Sequence, residues 1–213
     1  MPATVDTVAL EDKLAYVLPY VSGAPHQTVV FHLRQAAIAF CRRTLLWHGT
    51  LKPVLTVVNR DTYNIPLPDE SRLVQIVRFR IGDRCDADLL MPAAGRWQRA
   101  QGTGNADGVY TEDRSRFTVL PMPTSAGLAM LIDAALCPTE DAAEIPEFLT
   151  DQYMQDIACG AIGSIQAIPR QSFTDMQQAA VYTDKFNNAI SRAARIASKG
   201  STRSVQRVRG HFF

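Results

Sequence analysis

Apolar side chains recur with helical spacing near both ends of the chain and with strand spacing between them. A stripe at three- and four-residue intervals predicts a long helix, with Pro25 near its first turn. The stripe comprises Val29, Val30, Leu33, Ala36, Ala37, Phe40 and Thr44. A shorter helix is predicted before it, from about Asp6 to Val17, where Pro19 and the Ser22-Gly23 turn end it.

The middle of the chain alternates with the two-residue period of strands. Arg72 to Ile81 is the clearest case, because its odd-numbered positions, Leu73 to Ile81, share one face of a strand. Further strands are predicted at residues 53–58, 63–67, 116–120 and 129–136, and a loop from Pro92 to Gly108. Strands separated by turns indicate a small antiparallel sheet.

Helical spacing returns at Ile145-Pro146 and persists to the Pro169 break. Small residues on this helix let another helix approach closely: Ala158, Gly160, Ala161 and Gly163. A last helix is predicted to begin near Ser172 or Thr174, with Asp175 in a capping-box position relative to Ser172, and to end at Gly200.

These elements predict an α+β fold for the 213 residues. Residues 1–49 and 145–200 are expected to form one helical bundle. Residues 50–144 are expected to form an inserted small antiparallel β domain. Residues 201–213 lack helical periodicity and are expected to form an extended C-terminal tail.

Charge is segregated along the chain although the formal net charge is only +1. Between Pro138 and Pro169 every charged residue is acidic: Glu140, Asp141, Glu144, Glu147, Asp151 and Asp156. From Ala189 onward they are all basic: Arg192, Arg195, Lys199, Arg203, Arg207 and Arg209. Such asymmetry indicates an end of the molecule that faces a partner.

The sequence favours a protein made in a reducing cytoplasm. Neither an apolar run of membrane-spanning length nor a signal peptide is recognised. The four cysteines are widely spaced and form no C-x-x-C pair, so we expect reduced core thiols: Cys41, Cys85, Cys137 and Cys159.

Glycine and acidic clusters were considered as ligand sites. Gly102, Gly104 and Gly108 lack the strand-to-helix context of a phosphate loop, so a loop is the better interpretation. A second cluster, with acidic residues at 83, 86 and 88, lacks the glycine and distal Glu of an EF-hand and is interpreted as a solvated turn.

The histidines are not spaced as metal ligands: His26, His32, His48 and His211. Nucleophile and kinase motifs are not found either. We therefore expect no catalytic residues, no cofactor, no metal and no enzymatic activity.

The tail is the candidate binding site. It combines basic side chains with aromatic anchors: Arg203, Arg207, Arg209, His211, Phe212 and Phe213. A solvated end is one interpretation. Exposed phenylalanines are of little use to a solvating tail, so docking into a partner is the other.

Several segments resemble phage head-to-tail adaptor proteins of the podovirus type, including those called tail tubular protein A. The similar segments are Leu-Arg-Gln-Ala-Ala-Ile-Ala-Phe-Cys-Arg-Arg-Thr from Leu33, Tyr-Asn-Ile-Pro-Leu-Pro from Tyr63, Leu-Val-Gln-Ile-Val from Leu73, Leu-Cys-Pro-Thr-Glu-Asp from Leu136, Ile-Pro-Glu-Phe-Leu from Ile145, Cys-Gly-Ala-Ile-Gly-Ser-Ile from Cys159 and Phe-Asn-Asn-Ala-Ile from Phe186. The loop from Met91 to Asp113 carries no pattern of the family.

The resemblance implies a structural protein of the virion, at the junction of head and tail. It implies a homo-oligomeric ring, a dodecamer, that binds the portal protein, bridges to a tail or nozzle protein and leaves a channel for genomic DNA. Two alternatives stay open. One is a nucleic-acid-binding module that uses the basic C-terminal segment, and the other is a hydrolase with an unrecognised site in the β insert.

Overall fold

The computed structural model describes residues 6–82, 87–89, 103–104, 108–111 and 113–199. The fold class is α+β, as predicted. Contacts divide the chain into two compact units. Among the described residues, the β unit comprises 6–8 and 47–147, and the helical unit comprises 9–46 and 148–199.

The helical unit contains three long helices and two short 3-10 helices. The 3-10 helices span Leu10–Tyr16 and Leu18–Tyr20. The long helices are α1 (His26–Thr44), α2 (Glu147–Gln166) and α3 (Met176–Lys199). Helix α1 covers the predicted stripe and ends where Leu45 takes a left-handed φ of 54°, with its N–H bonded to the Cys41 carbonyl at 2.9 Å.

Close packing of α2 on α3 explains the small residues of α2. A Cβ added to Gly160 would lie 2.9 Å from the Phe186 ring. One added to Gly163 would lie 3.1 Å from the Thr183 nitrogen and 3.2 Å from the Ala179 carbonyl oxygen. The predicted close helix approach is therefore confirmed.

The start of α3 differs from the prediction. Asp175, rather than Ser172 or Thr174, caps the helix, because its Oδ1 accepts hydrogen bonds from the N–H groups of Gln177 at 3.1 Å and Gln178 at 3.0 Å. Thr174 is used differently, since its hydroxyl accepts a hydrogen bond from the N–H of Gln171 at 2.9 Å and so closes the preceding turn.

The predicted first helix is also corrected. Thr7–Ala9 form a strand, β1, and only the residues from Leu10 onward are helical, with 3-10 geometry. Strand β1 pairs with β12 (Glu144–Pro146), and the N–H of Glu147 donates to the Asp6 carbonyl at 2.8 Å. A partner distant in sequence supplies this pairing, so local periodicity does not reveal it.

The remaining strands belong to the β unit and are mostly short. They are β2 (His48–Thr50), β3 (Val54–Leu55), β4 (Thr62–Asn64), β5 (Ser71–Ile81), β6 (Asp88–Leu89), β7 (Thr103–Gly104), β8 (Gly108–Tyr110), β9 (Arg116–Leu120), β10 (Met122–Pro123) and β11 (Ala129–Pro138). Three of the described strands fall where alternation predicted them with near-matching bounds, namely β5, β9 and β11.

Strand β11 organises the main sheet. It pairs antiparallel with β5 from Ser71 opposite Pro138 to Ile81 opposite Met130, with two register shifts. Its other edge pairs with β2 and β3. A second sheet has the order β4-β9-β8-β6. Two short pairings, β6 with β8 and β7 with β10, are parallel.

Aromatic rings fill the core of the β unit. Phe117 lies 5.5 Å from both Tyr63 and Phe79, measured between ring centroids. The Tyr63 hydroxyl donates to the Arg60 carbonyl at 2.7 Å and accepts from the Val57 N–H at 3.1 Å. Tyr63 therefore joins the core to the turn that separates β3 from β4.

Cys41 and Cys137 are buried and Cys159 is half-buried, and none of these three cysteines is in a disulfide bond. Cys85 lies outside the described residues. In the part of the chain that the structure describes, no helix has both the length and the apolar character needed to cross a bilayer.

Candidate functional site

The predicted docking residues of the tail lie outside the described residues: Arg203, Arg207, Arg209, His211, Phe212 and Phe213. So do Gly200, Gly102, Asp83 and Asp86. Of the other residues considered as ligands, Asp88 lies in β6, Gly104 in β7 and Gly108 in β8. The predicted loop from Pro92 to Gly108 thus contains strand residues at 103, 104 and 108.

The helical unit has an open cleft of about 610 Å³ between the 3-10 helices, α2 and α3. We call it the aromatic cleft, because Tyr16, Tyr20 and Tyr182 line it. Its floor includes Cys159 and Ile162 of α2. A cleft of this volume has room for one or two large side chains of a ligand.

The tyrosines are held in place by neighbouring groups. The rings of Tyr20 and Tyr182 meet edge to face with centroids 5.7 Å apart, and the ammonium of Lys185 lies 4.9 Å from the Tyr182 centroid. The buried Gln166 donates from Nε2 to the Tyr20 carbonyl at 3.0 Å, which ties the 3-10 segment to α2.

Charged groups stand at the rim of the aromatic cleft. Arg192 of α3 and Asp156 of α2 approach to 3.4 Å. The pair is partly exposed, so it contributes at most about 1 kcal/mol to stability. With Lys185, the rim carries two cations and one carboxylate.

The cleft thiol is not prepared for nucleophilic chemistry. Burial raises the pKa of Cys159, and the carboxylate of Asp156 raises it further, while Lys185 lowers it. Burial also raises the pKa of Tyr182. The thiol and the phenol are therefore neutral near pH 7, and the arrangement is suited to binding an apolar or aromatic group.

A second feature lies in the β unit, where four large apolar residues are exposed at the end of β3, just after it and just before β11. They are Leu55, Val57, Val58 and Leu128, between 42% and 58% exposed. We call them the β3 patch. Thr56 between them is buried, and its hydroxyl accepts from the Leu128 N–H at 3.0 Å and donates to the Ser125 carbonyl at 2.9 Å.

The histidines are dispersed. The Nδ1 atom of His32 lies 3.0 Å from the hydroxyl of Ser164, which itself donates to the Ala161 carbonyl at 2.9 Å, so His32 is the donor. Burial lowers the pKa of His32. Within the described ranges, no group of three or more His, Cys, Asp or Glu side chains is arranged to hold a metal ion.

The aromatic cleft was not predicted from the sequence. Tyr182 falls within the predicted last helix, and neither it nor Tyr16 and Tyr20 were singled out. The sequence offers one signal of this cleft, which is that Tyr16 and Tyr20 lie four residues apart near the end of the predicted first helix. Comparison of the chain with protein-family models and with curated proteins gave no match.

Proposed function

We propose that this chain is a subunit of the head-to-tail adaptor of a tailed bacteriophage. In this proposal, identical subunits form a ring that joins the portal to the tail or nozzle and lines the DNA channel. The observation that carries it is the β3 patch. The resemblance of the sequence segments to podovirus-type adaptors supplies the class of assembly.

The β3 patch supports assembly because it exposes four large apolar side chains on two hydrogen-bonded segments. Isolated exposed apolar residues are ordinary, but Leu55, Val57 and Val58 follow closely along the chain, and Leu128 lies on the segment whose carbonyl accepts the Thr56 N–H. Covering such side chains stabilises an assembly by about 25 cal/mol for each Å² removed from water. In a ring, the patch would contact a different surface of the neighbouring subunit.

Charge on the long helices also suits a ring interface. Helix α2 contains no basic residue, whereas the described charges of α3 after Lys185 are basic. The ion pair of Asp156 with Arg192 uses one charge from each helix within the subunit. Asp151 and Arg195 stay exposed, and opposed charges of this kind set orientation and register between neighbours.

Attachment to the portal is assigned to the segment 201–213. Removing it should abolish attachment and leave the subunit folded, because α3 extends to Lys199 without it. Full-length protein and a variant ending at Gly200 would be mixed with portal particles and sedimented, with circular dichroism as the check on folding. Only the full-length protein should co-sediment.

A matched control is the double variant Ser201→Ala, Ser204→Ala, which alters the same segment without touching its basic or aromatic side chains. It should co-sediment like the full-length protein. Equal attachment of the Gly200 variant would contradict the assignment of the tail as the portal-binding segment.

The alternative is a nucleic-acid-binding module that uses the basic C-terminal segment. Its described part is the end of α3, where Arg192 and Arg195 are exposed and lie about one turn apart. The pairing of Arg192 with Asp156 weakens this alternative. Tight binding of duplex DNA by the isolated subunit, with a steep loss as salt rises, would favour it over the adaptor.

A further inference from the structure

The aromatic cleft has the lining of a site for a phenylalanine ring. Tyr16 and Tyr20 are about half exposed at its wall, and the Tyr182 ring is already engaged edge to face. An added aromatic ring would extend this edge-to-face contact, which stabilises a pair of rings beyond the area that they bury. The apolar floor at Ile162 and Ala158 completes the surroundings of a ring.

We propose that, in the isolated subunit, the segment 201–213 folds back on its own helical unit and places Phe212 or Phe213 in the aromatic cleft. The proposal goes beyond the adaptor function, because it concerns the subunit alone and stands whether or not the portal is the partner. It assigns the cleft an occupant within the same chain.

The segment is long enough to reach the cleft. Helix α3 runs antiparallel to α2, since Gly163 lies beside Thr183, Gly160 beside Phe186 and Asp156 beside Arg192. From Lys199 back to Tyr182, α3 extends for about 25 Å at 1.5 Å for each residue. An extended chain from 200 to 212 spans up to about 43 Å. The extended segment is therefore longer than this distance along α3, and enough length remains for a turn.

Two carboxylates lie on the approach to the cleft, whose rim itself carries Lys185 and Arg192 beside Asp156. Asp151 is exposed one turn before the cleft residue Gln155 of α2, and Asp12 is exposed one 3-10 turn before the cleft residue Ala15. Three arginines precede the phenylalanines in the segment: Arg203, Arg207 and Arg209. A segment that runs back along the cleft brings its cations past these carboxylates.

Cys159 provides a direct readout, because it lies in the cleft and a bound ring would cover it. The rate at which N-ethylmaleimide alkylates Cys159 would be followed by peptide mass spectrometry at one fixed pH. The proteins compared are the full chain, the variant ending at Gly200, and the double variant Phe212→Ala, Phe213→Ala. The double variant Ser201→Ala, Ser204→Ala is the matched control.

The proposal predicts that Cys159 reacts at least about threefold more slowly in the full chain and in the serine control than in the other two proteins. The fully buried Cys41 of the same unit reports folding, and its slow reaction should be the same in all four. Equal rates at Cys159 with Cys41 protected throughout would overturn the proposal.

Dilution separates folding back from binding between copies. Because the segment is tethered, its effective concentration near the cleft is in the millimolar range and does not depend on protein concentration. The protection of Cys159 should therefore persist over about a hundredfold dilution. Protection that disappears on dilution would mean that the segment occupies the cleft of another copy, which overturns the proposal. Neither outcome depends on attachment to the portal, so the adaptor function succeeds or fails separately.

Discussion

Gly163 allows α3 to pack on α2 at backbone contact. A Cβ at this position would meet the Thr183 nitrogen and the Ala179 carbonyl oxygen, neither of which moves without the helix. We predict that Gly163→Ala destabilises the protein by a net amount of about 1–2 kcal/mol, because the cost of overpacking, up to about 3 kcal/mol, exceeds the roughly 1 kcal/mol that Ala gains over Gly as a helix former. Urea unfolding followed by circular dichroism measures the difference.

Gly→Ala substitutions at two other glycines serve as comparisons for the loss of stability at Gly163. At Gly160 the added Cβ would lie 2.9 Å from the ring of the buried Phe186, which must shift, so Gly160→Ala should also be destabilising. At Gly49 nothing lies within 4 Å, so Gly49→Ala should be close to neutral. A Gly163→Ala variant as stable as Gly49→Ala would contradict the backbone contact.

His32 should make stability depend on pH. Burial lowers its pKa, so the unfolded chain, with a His pKa of about 6.5, binds a proton at higher pH than the folded protein does. The contribution to stability is complete above the unfolded pKa and decreases as pH falls from there toward the folded pKa.

The test compares urea midpoints at about pH 7.5 and about pH 5.5. The original protein should lose more stability on acidification than His32→Asn. His26→Asn, at the exposed start of α1, is the matched control and should behave like the original protein. Identical losses in all three proteins would show that His32 does not contribute.

At the scale of elements, Asp175 fixes where α3 begins. Its carboxylate accepts two N–H groups of the first turn and also faces the positive end of the helix. We predict that Asp175→Ala costs about 1 kcal/mol, within the range of 0.5–2 found for lost N-caps. Ser172→Ala should destabilise the protein less than Asp175→Ala does, as measured by thermal unfolding. A larger loss of stability for Ser172→Ala would indicate that Ser172 caps the helix, as the sequence predicted.

Elements with their own periodicity were predicted from the sequence. Helix α1, most of α2 and the strands β5, β9 and β11 lie where apolar spacing placed them. Elements that depend on a distant partner were missed: β1 requires β12, and β2 requires the edge of β11. The start of α3 was misplaced because Ser172, Thr174 and Asp175 are all good capping residues, and only geometry selects one.

At the scale of the molecule, the sequence placed the junctions between bundle and β domain at 49/50 and 144/145. The contacts divide the chain at 46/47 and 147/148. Residues 6–8 were expected in the helical bundle but belong to the β unit, because β1 pairs with β12. The boundary prediction depended on the change of period, which marks a junction only to within a few residues.

The two candidate surfaces were beyond prediction for a physical reason. The aromatic cleft assembles side chains from four elements, as distant in sequence as Tyr16 and Tyr182. The exposure of the β3 patch depends on which side chains of a very short strand and the residues after it are covered by the rest of the fold. The sequence from Leu55 to Val58 does not show this. The residues of the predicted tail site lie outside the described part of the chain, so their docking stays a prediction.

The proposed adaptor function requires this chain to assemble into a ring between a phage head and its tail. Negative-stain images of the purified protein, alone and mixed with portal particles, would show whether it does. We expect dodecameric rings stacked coaxially on the portal in the mixture, with subunits related by rotation through a heterologous contact. Portal particles that stay bare at every ratio, beside unassembled single subunits, would contradict it.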